Sequence, residues 1–170
     1  GTTVAVDLET IRLQAEEHPL IEDTPPATPS EHCLRLIHLR AYDEAVAAAA
    51  GLDVLDVGCN TGYGTIRYVP VARRGVGVDV SPEMLALARE RCTRSTLIAP
   101  DVPGSAPAGL RLPVDLVTAF RFFLNAEPSL RRDALEWIGS ALTPGGHLVA
   151  NFHLSPASLR GRYLRARVPA

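Results

Sequence analysis

An apolar run, Val54-Leu55-Asp56-Val57, stops at a loop that carries Gly58, Gly62 and Gly64, and a second apolar run, Gly75-Val76-Gly77-Val78, ends in Asp79. Glycine tolerates positive φ and lets a ligand approach bare backbone. A glycine loop followed by an acid about 20 residues on suits a ribose-bearing cofactor held at the ends of two adjacent strands. Asp79 fits that chemistry: an ionised carboxylate only accepts, and a cis diol offers two donors. Its plainer use is as a strand-end cap. Further along, Arg121 in the block Ala119-Phe120-Arg121-Phe122-Phe123-Leu124-Asn125 could clamp a carboxylate or phosphate, or pair with a nearby acid. Asn125 is a second polar candidate there. His153, in Asn151-Phe152-His153, titrates near neutrality and could take a proton from an acceptor, or could simply be a surface imidazole.

The spacing narrows the cofactor. A dinucleotide fingerprint reads G-x-G-x-x-G, whereas these glycines run G-x-x-x-G-x-G, with Asn60 inside the loop. A phosphate-binding P-loop needs a Lys, and the chain contains none. The segment Asp56-Val57-Gly58-Cys59-Asn60-Thr61-Gly62 resembles the first motif of class I S-adenosylmethionine-dependent methyltransferases, with Asn60 in place of the middle glycine. Asn accepts left-handed geometry better than other non-glycine residues, so the departure is mild. Four later pieces follow in order and are similar to the same family: Gly77-Val78-Asp79-Val80-Ser81-Pro82-Glu83-Met84-Leu85, Asp101 after a third strand, Val114-Asp115-Leu116-Val117, and Leu142-Thr143-Pro144-Gly145-Gly146-His147-Leu148. The resemblance covers about residues 50–155.

That resemblance implies S-adenosylmethionine as methyl donor and S-adenosylhomocysteine as product. It implies that Asp56 helps hold the donor's ammonium, directly or through water. Backbone at Gly58, Cys59, Asn60 and Gly62 would lie along the methionine part. Asp79, with Val80 beside it, would meet the ribose, and Met84 would face the adenine side or else the core. Asp101 would reach the adenine amino group and Val102 would pack on the ring. Phe120 and its neighbours would enclose the sulfonium, which is attracted to ring faces like other cations, or would be core. Asp115 is expected to fix local structure. No metal is expected: His32 and His38 do not share a helix face, and no carboxylate cluster suggests a Mg²⁺ site.

These residues need a scaffold that brings strand ends together. Residues 7–17 read as a helix, and the Pro-rich stretch 18–30 as a loop. Ser30 is the expected cap of a helix that runs through an alanine tract to Gly51. Strands are expected at 53–57, 75–79, 96–99, 114–119 and 147–152, with helices after Gly62, at 82–92 and at 127–142. Ser81-Pro82 is a strong helix start. This alternation predicts an α/β fold: a Rossmann-like, doubly wound, mostly parallel sheet of at least five strands, helices on both faces, and ligands at the carboxyl ends of the strands. The family's usual C-terminal antiparallel strand pair has no expected counterpart here: Ser158 to Arg167 reads as a basic helix better than as a hairpin, so either the form is a truncated one or those strands were not included. An exposed fifth strand would suit pairing with a second copy, so a homodimer is an open expectation.

The chain of 170 residues suits one domain: a helical segment 1–50, a cofactor-binding core 51–155 and the basic segment 156–170. A net charge of −2 argues against a nucleic-acid surface. No apolar run reaches the roughly 18 residues of a membrane span, and no signal pattern starts the chain. Cys33, Cys59 and Cys92 lack metal spacing and read as reduced structural thiols, pointing to the cytoplasm. The family resemblance implies methyl transfer to an O or N nucleophile of a small-molecule acceptor, which could be saccharide-related or a secondary metabolite. The alternative is a non-catalytic S-adenosylmethionine-binding or scaffold protein of the same fold. A nicotinamide oxidoreductase is disfavoured by the glycine spacing.

Overall fold

The computed structural model describes residues 25–93, 95–98, 107–126 and 128–151. In chain order these form α1 (Pro29–Ala49), β1 (Asp53–Val57), α2 (Thr65–Tyr68), β2 (Arg74–Val78), α3 (Pro82–Arg91), β3 (Thr96–Ile98), β4 (Val114–Ala119), α4 (Phe122–Asn125), α5 (Pro128–Ala141) and β5 (Leu142–Ala150). Among the described residues there is one five-stranded sheet, ordered β3-β2-β1-β4-β5, with every neighbouring pair parallel. The order reverses at β1, so the ends of β1, β2 and β4 converge on one crevice. The expected helix at 7–17 and the segment 152–170, with its question of further strands, lie outside the described residues.

Side chains alternate across the sheet and divide the core in two. Leu55, Val57, Val76, Val78, Val117 and Ala119 pack with Ala134 and Ile138 of α5 on one face. Val54 and Leu116 pack with Tyr42, Ala45 and Ala49 of α1 and with Tyr68 of α2 on the other. Helices therefore cover both faces. At the far end of the sheet, away from the crevice, Asp115 accepts from the Asp53 amide at 2.9 Å and from Arg73 at 3.0 Å, while Arg73 Nε reaches Asp53 at 2.8 Å. Asp115 thus ties β4 to β1, the structural task expected of it.

Most boundaries fall within a residue of expectation, and the larger differences lie at the cap of α1 and in β5. The cap of α1 is Thr28, not Ser30: its hydroxyl accepts from the Glu31 amide at 3.2 Å, and Pro29 takes the first turn, where no amide hydrogen is needed. The Glu31 carboxylate returns a bond to the Ala27 amide at 2.7 Å, which fixes the entry of the chain. β5 starts at Leu142 rather than 147 and ends at Ala150 rather than 152. Val114 pairs with Leu142 and Leu116 with His147, so Thr143–Gly146 bulge out of a strand that stays paired on both sides. Gly145, at φ 82°, supplies the left-handed step that this bulge requires. The short helix α4 was not expected at all.

Candidate functional site

The glycine loop after β1 is fastened to the end of β2. The amides of Gly58 and Cys59 both donate to the Val78 carbonyl, at 2.9 and 3.0 Å. Between them and α2 the backbone turns left-handed three times, at Gly58 (φ 70°), Asn60 (φ 49°) and Gly62 (φ 75°). Asn60 therefore does what its position demanded, and its side-chain oxygen accepts from the Thr61 amide at 2.8 Å. Asp79 stands directly beside this loop. One carboxylate oxygen accepts from the Asn60 amide at 2.8 Å, the other from the Ser81 amide at 3.0 Å. Burial pushes its pKa up, and the backbone donors from Ser81, Asn60 and Val80 oppose that rise. The carboxylate thus gives part of its acceptor capacity to the fold and keeps the rest for a further donor. Ser81 caps α3 as expected, accepting from the Met84 amide at 3.2 Å. Met84 is buried, as the core alternative required.

Asp56 is a buried node under the loop. Its oxygens accept from the hydroxyls of Thr65 at the start of α2 and of Thr118, the residue paired with it on β4; the Thr118 bond is 2.8 Å. Tyr68 Oη lies 3.0 Å from Thr118 Oγ1 and completes the group. Burial raises the Asp56 pKa, against the hydroxyl donors that lower it. Thr65, Tyr68 and Thr118 were not anticipated. For Thr118 the signal was register, since a residue opposite Asp56 on a parallel neighbour can meet a buried carboxylate; Thr65 and Tyr68 of α2 gave none.

Loop glycines serve packing as much as ligand approach. A Cβ on Gly62 would sit 2.7 Å from Cys92 Sγ and 3.2 Å from Ala88 Cβ of α3, while a Cβ on Gly58 would meet the Phe122 ring at 3.3 Å. Gly62→Ala is therefore expected to cost about 2–4 kcal/mol through positive φ and overpacking together. In thermal melts that is a drop of roughly 5–15 °C. Cys92→Ala should restore part of it by opening the contact, and a melt within a degree of wild type would refute the steric account. Cys59 and Cys92 are buried free thiols whose pKa burial raises, which fits structural use and not nucleophilic attack.

The other wall of the crevice comes from β4, α4, β5 and α1. Phe120 is buried with its ring 4.7 Å from that of Tyr42, edge on, and Tyr42 in turn meets Tyr63 of the glycine loop at 5.3 Å. Phe123 is core, and Phe122 is partly buried against Gly58. Arg121 adopts left-handed backbone (φ 64°) between β4 and α4, and its amide donates to the Asn151 side-chain oxygen at 2.6 Å. The Arg121 charge bears on α1: it lowers the His38 pKa, second to burial. The tyrosine, histidine and Asn151 members of this wall were not singled out from sequence. Asp101, Val102 and His153 lie outside the described residues, as does the side chain of Asn125. Among the described residues no group of three or more His, Cys, Asp or Glu side chains is placed to hold a metal ion, and no helix is long and apolar enough to cross a membrane.

The architecture has many known counterparts. An amino pentose methyltransferase of Micromonospora echinaspora, involved in calicheamicin biosynthesis and solved with S-adenosylmethionine, superposes with TM-score 0.61 at 27% identity, over 80% of this chain and 61% of that one. The N-methyltransferase NodS of Bradyrhizobium japonicum, solved with S-adenosyl-l-homocysteine, shares the fold with TM-score 0.66 at 23% identity, over 82% of this chain and 71% of that one. In sequence, the chain is 42% identical over 55 residues to a demethylmenaquinone methyltransferase of Tropheryma whipplei, which is 32% of this chain and 23% of that protein. It is 34% identical over 103 residues to a probable S-adenosylmethionine-dependent methyltransferase of Mycolicibacterium smegmatis, covering 59% of this chain and 38% of that protein. The chain thus spans less than half the length of these curated relatives. The family profile described as methyltransferase domain matches residues 54–146, from β1 through the bulge of β5 and over more than half of the chain. The chain belongs to the methyltransferase domain family, of the class I S-adenosylmethionine-dependent type.

Proposed function

We propose that this domain binds S-adenosylmethionine across the ends of β1 and β2 and transfers its methyl group to an oxygen or nitrogen of a small-molecule acceptor, saccharide-related or a secondary metabolite. The observation that carries the reading is Asp79. Its carboxylate is locked to the loop and to the start of α3 by the amides of Asn60 and Ser81, and it retains acceptor capacity for a ribose diol. The donor set fits a cofactor without phosphate, since the loop offers amides, a carboxylate and no basic side chain between Gly58 and Gly64.

In this reading the bound donor supplies a methyl group on a positively charged sulfur. Asp79 and Val80 hold the ribose end, and Gly58, Cys59, Asn60 and Gly62 line the amino-acid end. Asp56 acts from beneath, through its charge and by fixing Thr65, because its two oxygens are engaged by the fold. Phe120 and its neighbours exclude water from the crevice, Asp101 and Val102 meet the adenine, and Met84 backs the pocket from within the core. Arg121 orients the acceptor, and His153 serves as base when the acceptor must lose a proton. Holding donor and acceptor in line accounts for most of the acceleration. The amino pentose methyltransferase among the structural relatives supports a sugar-like acceptor, without naming one for this chain.

Isothermal calorimetry with S-adenosylhomocysteine and with NAD tests the cofactor. Binding of the first and not the second is expected; the reverse, or silence with both, overturns the proposal. Transfer of labelled methyl to a panel of amino sugars then tests the acceptor class.

A further inference from the structure

Arg121 is one of two non-glycine residues with positive φ among the described residues, and the other, Asn60, belongs to the cofactor loop. A left-handed arginine is strained by roughly 1–2 kcal/mol, and such a conformation persists only where its surroundings enforce it. The residue sits where β4 ends. Phe120 before it is seated on the Tyr42 ring of α1, and Phe122 after it opens α4 and packs on Gly58. The chain must therefore turn sharply between two anchored rings. On the neighbouring strand, Asn151 is the first residue beyond β5, and its side chain reaches the Arg121 amide at 2.6 Å. On α1, His38 stands one helical turn before Tyr42, so both share a face, and the Arg121 charge acts on each of them.

We propose that Asn151 is a positioning residue of the acceptor side: by accepting the Arg121 amide it holds the left-handed turn that ends β4, and so fixes the direction in which the Arg121 side chain leaves that turn. This rests on the reading of that crevice as the acceptor side. The consequence is specific. Without the latch the turn relaxes, φ returns to negative values, and the guanidinium swings away from α1. The arginine remains in the sequence but no longer points where an acceptor would be oriented. Asn151 is suited to the task because its carbonyl accepts without bringing a charge beside the guanidinium.

Nuclear magnetic resonance reads this without any acceptor. His38 reports the guanidinium, since its ring is depressed by burial and then by Arg121. In Arg121→Gly, which keeps the turn and removes the charge, the His38 titration midpoint should rise. In Asn151→Ala it should rise toward the Arg121→Gly value, and the Arg121 amide resonance should lose its hydrogen-bonded shift. Asn151→Asp, which keeps an acceptor, should retain the amide shift. A His38 midpoint in Asn151→Ala equal to wild type overturns the proposal, as does an unmoved Arg121 amide. If Asn151→Ala does not fold, hydrogen exchange in wild type decides. Exchange of the Arg121 amide slowed at least about tenfold, which corresponds to about 1.4 kcal/mol, supports the latch, and exchange at the open-chain rate overturns it. Binding of S-adenosylhomocysteine to wild type judges the methyl-donor reading alone, so the two failures are distinguishable.

Discussion

Replacing Asp79 by alanine is expected to weaken S-adenosylhomocysteine binding by at least about a hundredfold. Two hydrogen bonds from a ribose diol to a carboxylate are each worth about 1.5–3 kcal/mol, and each 1.4 kcal/mol is a factor of ten in affinity. A second loss adds to the first. The carboxylate now holds the amides of Asn60 and Ser81, at 2.8 and 3.0 Å, so its removal frees the left-handed Asn60 and the start of α3 together. The loop that the proposal sets along the amino-acid end of the donor is then no longer preformed. Asp79→Asn separates the two contributions. It keeps one carbonyl oxygen and the size of the side chain, but its amide group must face either a backbone N–H or a ribose hydroxyl. Affinity intermediate between wild type and alanine is the expected result, with a melting temperature closer to wild type. Calorimetry on both variants, with melts taken in the absence of ligand, provides the check. Wild-type affinity in Asp79→Ala would remove this residue from the site and, with it, the main support for the cofactor reading.

The halves of the crevice were unequally legible, and the reason is physical. The cofactor half is written in backbone geometry. Left-handed turns demand Gly or Asn, a strand end that meets a diol demands an acid, and a helix start shows Ser-Pro; each constraint acts on one residue and appears at its own position. The half proposed for the acceptor is written in tertiary contact. Tyr42 and His38 belong to a helix that begins at Pro29, well before the loop it packs on, and nothing in that helix's pattern says which sheet end it faces. Asn151 is meaningful only because β4 and β5 lie side by side, and Arg121 only because its φ is positive, which no arginine announces. Boundaries failed for a related reason. Gly145-Gly146 reads as the end of one element and the start of another, yet the pairing of Val114 with Leu142 continues the strand through it. Thr28 outcompeted Ser30 as cap because Pro29 is better placed one position inside the helix than in the loop before it.

Asp56 should matter most for stability, and with an unusual pH dependence. Asp56→Ala removes the acceptor shared by the Thr65 and Thr118 hydroxyls, with Tyr68 next in line, all of them buried. Leaving two buried donors without a partner costs about 1–3 kcal/mol each. Loss of the side chain's packing brings the total to roughly 3–5 kcal/mol, or about 6–20 °C in melting temperature for a chain of this size. That is a large share of the roughly 5–15 kcal/mol that keeps a domain folded. Asp56→Asn should cost less, because the hydroxyls can rotate to satisfy an amide. The sign of the pH effect follows from burial, which raises the folded-state pKa of Asp56 above its unfolded value. The folded state therefore holds this proton more tightly than the unfolded state does. Its stabilising contribution is full below the unfolded value, near pH 3.9, and is lost as pH rises through the raised folded value. Asp79 shifts in the same direction. Asp53 shifts the other way, because its hydrogen bond to Arg73 lowers its pKa, so its contribution is lost only as pH falls through that lowered value. Upward from about pH 4 the two raised groups make stability fall with rising pH, and Asp56→Asn removes one of them. Urea unfolding of wild type and Asp56→Asn from pH 4.5 to 7.5 should show the shallower slope in the variant. Parallel profiles would mean that Asp56 carries no shifted proton and that the buried node is held by its hydroxyl partners alone.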